Sequence, residues 1–165
     1  MRTLAYLILS YIALGLQVGL TPFIRVGNAP PNFVLLAALF IALNAPKDAA
    51  LLGCFALGLM QDLLTQQTLG LFALSYGLMA MLVLGAQQFL YRDHPLTHIS
   101  VAILGTMICA IVMLLHGLFH PAGRVELSRL LYSGLYTTAL SPIILGILQS
   151  IRKMFGFHPR RARSI

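Results

Sequence analysis

Charge is what this chain has least of. Only four of its 165 residues are acidic, and charged residues of both signs make up 9%, against about 25% in ordinary soluble domains. Tryptophan is absent and there are two cysteines, Cys54 and Cys109, both inside apolar stretches. That placement makes them small apolar packers and implies no disulfide framework. Also missing are a glycine-rich phosphate loop, a nucleophile elbow and any pair of carboxylates within one apolar stretch. Recognisable catalytic sets are therefore excluded. A proton relay would need several ionisable groups at membrane depth, and the apolar stretches do not supply them.

What is present in quantity is hydrophobic surface: 59% of residues, with a mean hydropathy of +0.88. The sparse charges bracket long uncharged runs. Arg2 and Arg25 enclose 22 residues, Arg25 and Lys47 enclose 21, Asp62 and Arg92 enclose 29, Asp93 and Arg124 enclose 30, and Arg129 and Arg152 enclose 22. A hydrocarbon core of about 30 Å takes about 20 helical residues, so these runs read as membrane spans. The fold class expected is all-α, a polytopic six-helix transmembrane bundle. Its helices fall at roughly 3–24, 30–45, 49–64, 69–90, 97–119 and 129–151. Residues 1–151 form one transmembrane domain and 152–165 a basic tail, leaving no room for a soluble catalytic domain of usual size. The first span reads as a retained helix that also directs insertion, because its apolar run is longer than a signal peptide's. Helix three is short, and helices two and three could instead form a re-entrant hairpin.

Proline and glycine mark the joints. Pro22 and the Gly27 to Pro31 stretch separate helices one and two. Asn44-Ala45-Pro46-Lys47-Asp48 joins two to three, with Asp48 placed to cap helix three. Thr65-Gln66-Gln67-Thr68 turns three into four.

Basic residues orient the bundle. With six spans, Arg2, Lys47, Arg92 and five tail residues share one face, against Arg25, Arg124 and Arg129 on the other. Both termini are thus expected on the cytoplasmic side. The tail residues are Arg152, Lys153, Arg160, Arg161 and Arg163. In a membrane protein they suggest contact with anionic lipid rather than nucleic acid.

One acid stands in the grease. Asp62 closes the run Gly53-Cys54-Phe55-Ala56-Leu57-Gly58-Leu59-Met60-Gln61-Asp62. A charge at the centre of a membrane helix costs roughly 2.5 kcal/mol or more. Either Asp62 ends its helix at the headgroups, or it is packed in and needs a donor. Candidate donors are backbone N–H groups of the following turn, the Thr65 or Thr68 hydroxyls, or a partner protein. Ala50, Cys54, Gly58 and Asp62 recur every four residues and form a small-residue groove on one helix face. Gly70, Ala73, Gly77 and Ala80 form a second such stripe. His116 and His120, four apart, could join a carboxylate on a metal, but no third ligand is fixed and no metal or cofactor is assigned.

Pro31-Asn32-Phe33-Val34-Leu35-Leu36, Ala45-Pro46-Lys47, Phe55-Ala56-Leu57-Gly58-Leu59-Met60-Gln61-Asp62-Leu63-Leu64 and Thr68-Leu69-Gly70 follow one another in an order that resembles the rod shape-determining protein MreD family. The specific match runs over about residues 30 to 72 and rests on Pro31, Asn32, Phe55, Gly58, Asp62, Leu69 and Gly70. Cys54 stands where a glycine usually precedes the phenylalanine, Pro30 replaces a frequent basic residue, and the turn carries Gln66-Gln67 in place of glycine. The resemblance implies a non-enzymatic scaffold of the elongation machinery that binds MreC. Through it the scaffold would act with RodA and its class B transpeptidase, and indirectly with MreB, on lateral peptidoglycan synthesis. It also implies a fold similar to the substrate-binding subunits of energy-coupling-factor transporters. That likeness supplies an alternative: a membrane subunit that binds a small vitamin-like molecule for uptake.

Overall fold

A computed structural model describes residues 2–20, 22–24, 30–65, 68–86, 95–119 and 127–154, with side chains omitted at 2–5, 95, 127, 129 and 152–154. The described residues form six helices and no strand: α1 (Arg2–Gly19), α2 (Phe33–Asn44), α3 (Lys47–Thr65), α4 (Leu71–Ala86), α5 (Pro95–Phe119) and α6 (Leu127–Met154).

The chain is built around α2. This helix is apolar on every side, and Phe33 through Leu43 are all buried. A helix with no polar face belongs in an interior, and α2 packs against each of the other five helices. Its 12 residues span only about 18 Å by the helical rise, well short of the hydrocarbon thickness. The sequence placed its start at residue 30. The observed start is Phe33, because Asn32 takes the capping position and its side-chain oxygen accepts the Leu35 N–H.

Among the described residues, three helical stretches are long and apolar enough to cross a membrane: Lys47–Thr65, Leu96–Phe119 and Leu130–Ile151. Tyr6–Gly19, Phe33–Asn44 and Leu71–Ala86 are shorter apolar helices. α1 stops at Gly19 rather than near residue 24; Pro22 lies just beyond and cannot continue the helical ladder. α4 starts at Leu71 rather than 69, since Gly70 has φ +104°. α6 runs three residues past the expected limit of 151.

Pro142 sits inside α6, so the Thr138 carbonyl loses the N–H that would have answered it. The Ser141 hydroxyl supplies the missing donor, bonding to the Thr138 carbonyl at 2.7 Å. Hydroxyls commonly re-satisfy backbone freed by proline in membrane helices. The outward faces carry Leu7, Ile12, Leu52, Met81, Leu114 and Ile147, all exposed, as apolar solvent requires.

Candidate functional site at the α2 start and the α3–α4 turn

Asp62 lies in the last turn of α3 and is 1% exposed. A negative charge is unfavourable at the C-terminus of its own helix and favourable at the N-terminus of the next. The chain uses the second position. Asp62 Oδ2 accepts the Gly70 N–H at 2.9 Å and the Ala73 N–H at 3.2 Å, while Oδ1 accepts the Phe72 N–H at 2.9 Å. Three of the free donors that open α4 are thereby met by one carboxylate. Hydrogen bonds to a charged group contribute about 1.5–3 kcal/mol each, which offsets much of the cost of burying it. Thr65 is not a donor to Asp62; its hydroxyl turns back to the Gln61 carbonyl at 2.8 Å.

For this carboxylate to reach α4, α3 and α4 must come close. Gly58, one turn before Asp62, makes that possible. A Cβ at Gly58 would lie 2.5 Å from the Phe72 carbonyl oxygen and 2.6 Å from the Ala73 nitrogen, and nearer still to the Ala73 Cα. These are backbone atoms, which cannot swing aside. Ala50, Cys54, Gly58 and Asp62 are all buried, and Cys54 donates its S–H to the Ala38 carbonyl of α2 at 3.2 Å. The groove along α3 is therefore filled by α2 and α4 of the same chain. Gly70 has its own reason to be glycine: φ +104° is open to few L side chains.

A neutral polar cluster lies beside this cap. Asn32 Nδ2 donates to the Tyr76 hydroxyl at 3.0 Å, the Tyr76 hydroxyl donates to Gln61 Oε1 at 3.2 Å, and Gln61 Nε2 donates to Asn32 Oδ1 at 3.4 Å. Three side chains from α3, α4 and the α2 cap thus close a ring. The Tyr76 hydroxyl is also 3.2 Å from Asn32 Oδ1. The same Asn32 oxygen accepts the Leu35 N–H at 2.9 Å. The Gln17 side chain of α1 clamps the α2 start from another side, accepting the Phe33 N–H at 2.8 Å and donating to the Pro31 carbonyl at 3.1 Å. From α6, Thr137 Oγ1 accepts the Asn32 N–H at 3.0 Å, and the Ser133 hydroxyl donates to the Pro30 carbonyl at 2.6 Å. Phe72 leans on Tyr76 with ring centroids 5.8 Å apart.

The residues singled out from the sequence divide by position. Pro31, Asn32, Gly58, Asp62 and Gly70 come together in this region. Phe55 and Leu69 face outward, 47% and 67% exposed, with Phe55 lying against Gly77 of α4. Gln17, Gln61, Tyr76, Ser133 and Thr137 were not singled out. Their signal was available: a carboxamide inside an apolar run needs a partner there as much as a charge does.

Arg160, Arg161 and Arg163 lie outside the described residues, as does His120. Arg152 and Lys153 lie on the α6 backbone, their side chains undescribed. Among the described residues no three metal-ligating side chains gather.

Comparison with the curated proteins and with the solved structures gives no match. A family match does exist, and it extends far beyond the motif. Residues 1–155 fit the family described as rod shape-determining protein MreD. Nearly the whole chain is covered, including every described helix, and the chain belongs to the MreD family of rod shape-determining membrane proteins.

Proposed function

We propose that this protein is a non-enzymatic scaffold of the bacterial cell-elongation complex. In this reading it binds MreC in the inner membrane and supports lateral peptidoglycan synthesis with RodA and its class B transpeptidase. MreB is engaged indirectly. The observation that carries the proposal is the family match over residues 1–155, which places the chain in rod-shape determination.

The geometry favours a scaffold in one respect. The Asp62 carboxylate is satisfied by the backbone of the α4 start, and the Asn32, Gln61 and Tyr76 side chains satisfy one another. Such closure suits a rigid framework more than a pocket with convergent free polar groups. The motif then acts on partners at one remove, by fixing how α3 and α4 present their outward faces. MreC would meet those faces, and not the groove, which α4 already fills.

Co-purification in mild detergent tests the reading. The chain, expressed at native level, should retain MreC through affinity capture. Capture of a small organic ligand without MreC would replace this reading with the uptake-subunit alternative.

A further inference from the structure

Pro142 divides α6 into two parts that are held by different forces. The first part is tied by polar bonds. The Ser133 hydroxyl donates to the Pro30 carbonyl at 2.6 Å, and Thr137 Oγ1 accepts the Asn32 N–H at 3.0 Å. At the joint, the Ser141 hydroxyl has one proton to give and two carbonyls within reach. One is Thr138 of its own helix at 2.7 Å, the other His98 of α5 at 3.4 Å. Past the proline this fastening stops. Among the described residues, no side-chain hydrogen bond joins 143–151 to another helix, and the Ser150 hydroxyl turns back to the Gly146 carbonyl at 3.1 Å.

The second part is docked by apolar contact. Leu145 is fully buried, and Ile144 and Leu148 pack against the core. Such contacts hold weakly in a membrane, because lipid tails are as apolar as the side chains they would replace. Against them stands Gln149, 4% exposed, with neither Nε2 nor Oε1 hydrogen-bonded. Buried amides are rarely left in this state, and hydrocarbon makes it costly. Water is not far off. Arg152 closes the uncharged run three residues later, about 4.5 Å along the helix.

The joint between the two parts is soft for a covalent reason. Proline lacks the N–H that would hold the parts in line, and its ring crowds the carbonyl four residues back. Sharp bends in helices arise at such positions.

We propose that Pro142 is a hinge, about which residues 143–154 of α6 move between the docked arrangement and an undocked one in which the Gln149 amide meets interfacial water. Residues 127–141 stay in place, held by Ser133 and Thr137. The two states are close in free energy because weak apolar attraction favours the first and the unmet amide favours the second. Any ligand that prefers the undocked form draws the segment out. The hinge is a property of this chain alone and is independent of MreC.

Double electron–electron resonance on the full chain in lipid nanodiscs tests the hinge. One pair of spin labels goes on Leu96→Cys of α5 and Ile151→Cys of α6, and a control pair on Leu115→Cys and Leu135→Cys. All four positions are exposed, whereas the native Cys54 and Cys109 are buried. The control pair should give one narrow distance distribution, and the Leu96–Ile151 pair two populations. Gln149→Leu removes the penalty of docking and should raise the docked-to-undocked ratio about tenfold. Pro142→Ala restores the backbone bond and should merge the two populations into one. The leucine variant is decisive by itself where the alanine variant fails to fold. A single narrow population for the wild-type Leu96–Ile151 pair would overturn the proposal. So would two populations that neither substitution alters, which would mark plain fraying of the helix end. No arm contains MreC, so failure of the scaffold reading and failure of this one are distinguishable.

Discussion

Asp62 and Gly70 are eight residues apart, on opposite sides of the α3–α4 turn, and are joined by a 2.9 Å hydrogen bond from the Gly70 N–H to Asp62 Oδ2. The glycine supplies the backbone bend at φ +104°, and the acid supplies the cap that the bent chain needs. Each is of limited use without the other. The pair converts a charge that is costly in lipid into the element that sets the angle between two helices.

Removing the carboxylate should therefore damage the bundle itself. Asp62→Ala leaves three N–H groups without their acceptor, at about 1–3 kcal/mol for a buried unmet donor. The variant should unfold at lower temperature in detergent and lose rod-shape complementation. Asp62→Asn keeps one acceptor oxygen but turns an amide N–H2 towards donors, so it should fall between alanine and wild type. Wild-type melting of the alanine variant would show that the cap contributes nothing.

Gly58→Ala is the sharper test of helix approach. Its new methyl meets the Phe72 carbonyl and the Ala73 backbone, so α3 and α4 must separate. Overpacking of this kind costs about 1–3 kcal/mol, and separation should also lengthen the Asp62 bonds. Adding Gly58→Ala to Asp62→Ala should cost less than the sum of the single effects, because both act on one contact. Strict additivity in thermal or denaturant unfolding would mean the two residues act separately.

The ring of Asn32, Gln61 and Tyr76 predicts a different pattern. Tyr76→Phe deletes one hydroxyl and strands Gln61 Oε1 and Asn32 Nδ2, with a loss of about 1–3 kcal/mol. Pairing it with Gln61→Leu should restore part of that loss, since an apolar side chain then replaces the stranded amide. A double variant as unstable as the two single losses summed would dismiss the ring as a cooperative unit.

Topology offers a test independent of stability. Eight basic residues assigned to one side against three on the other favour both termini in the cytoplasm. A carboxy-terminal reporter active only in the periplasm should be silent, and one inserted near Gln66 should be active. A periplasmic carboxy terminus would require an odd number of crossings.

The number of helices was legible because charges are scarce enough to punctuate the chain, and Asp62 stood out for the same reason. What the sequence obscured was depth. α2 reads as one more span by hydropathy, yet burial on every side lets a shorter helix serve, since neighbours rather than lipid surround it. The boundary at Leu71 depended on a cap from Asp62 of another helix, and Gln17 of α1 reinforces the local Asn32 cap at Phe33. Periodicity within one helix carries no record of those. Gln61 and Tyr76 went unnoticed because they are neutral, although hydrocarbon penalises an unmet amide as well as a charge.

Enclosure gives α2 one more property. Bilayer thickness acts on helices that meet acyl chains, through tilt and mismatch, and α2 meets protein. Thinning or thickening of the surrounding lipid is therefore borne by the five peripheral helices. Four of these, α1, α3, α4 and α6, are pinned at one end through the Asn32 cluster. The opposite ends of these helices carry none of these bonds. A change in membrane thickness would thus register in this protein as movement at a single end of the bundle.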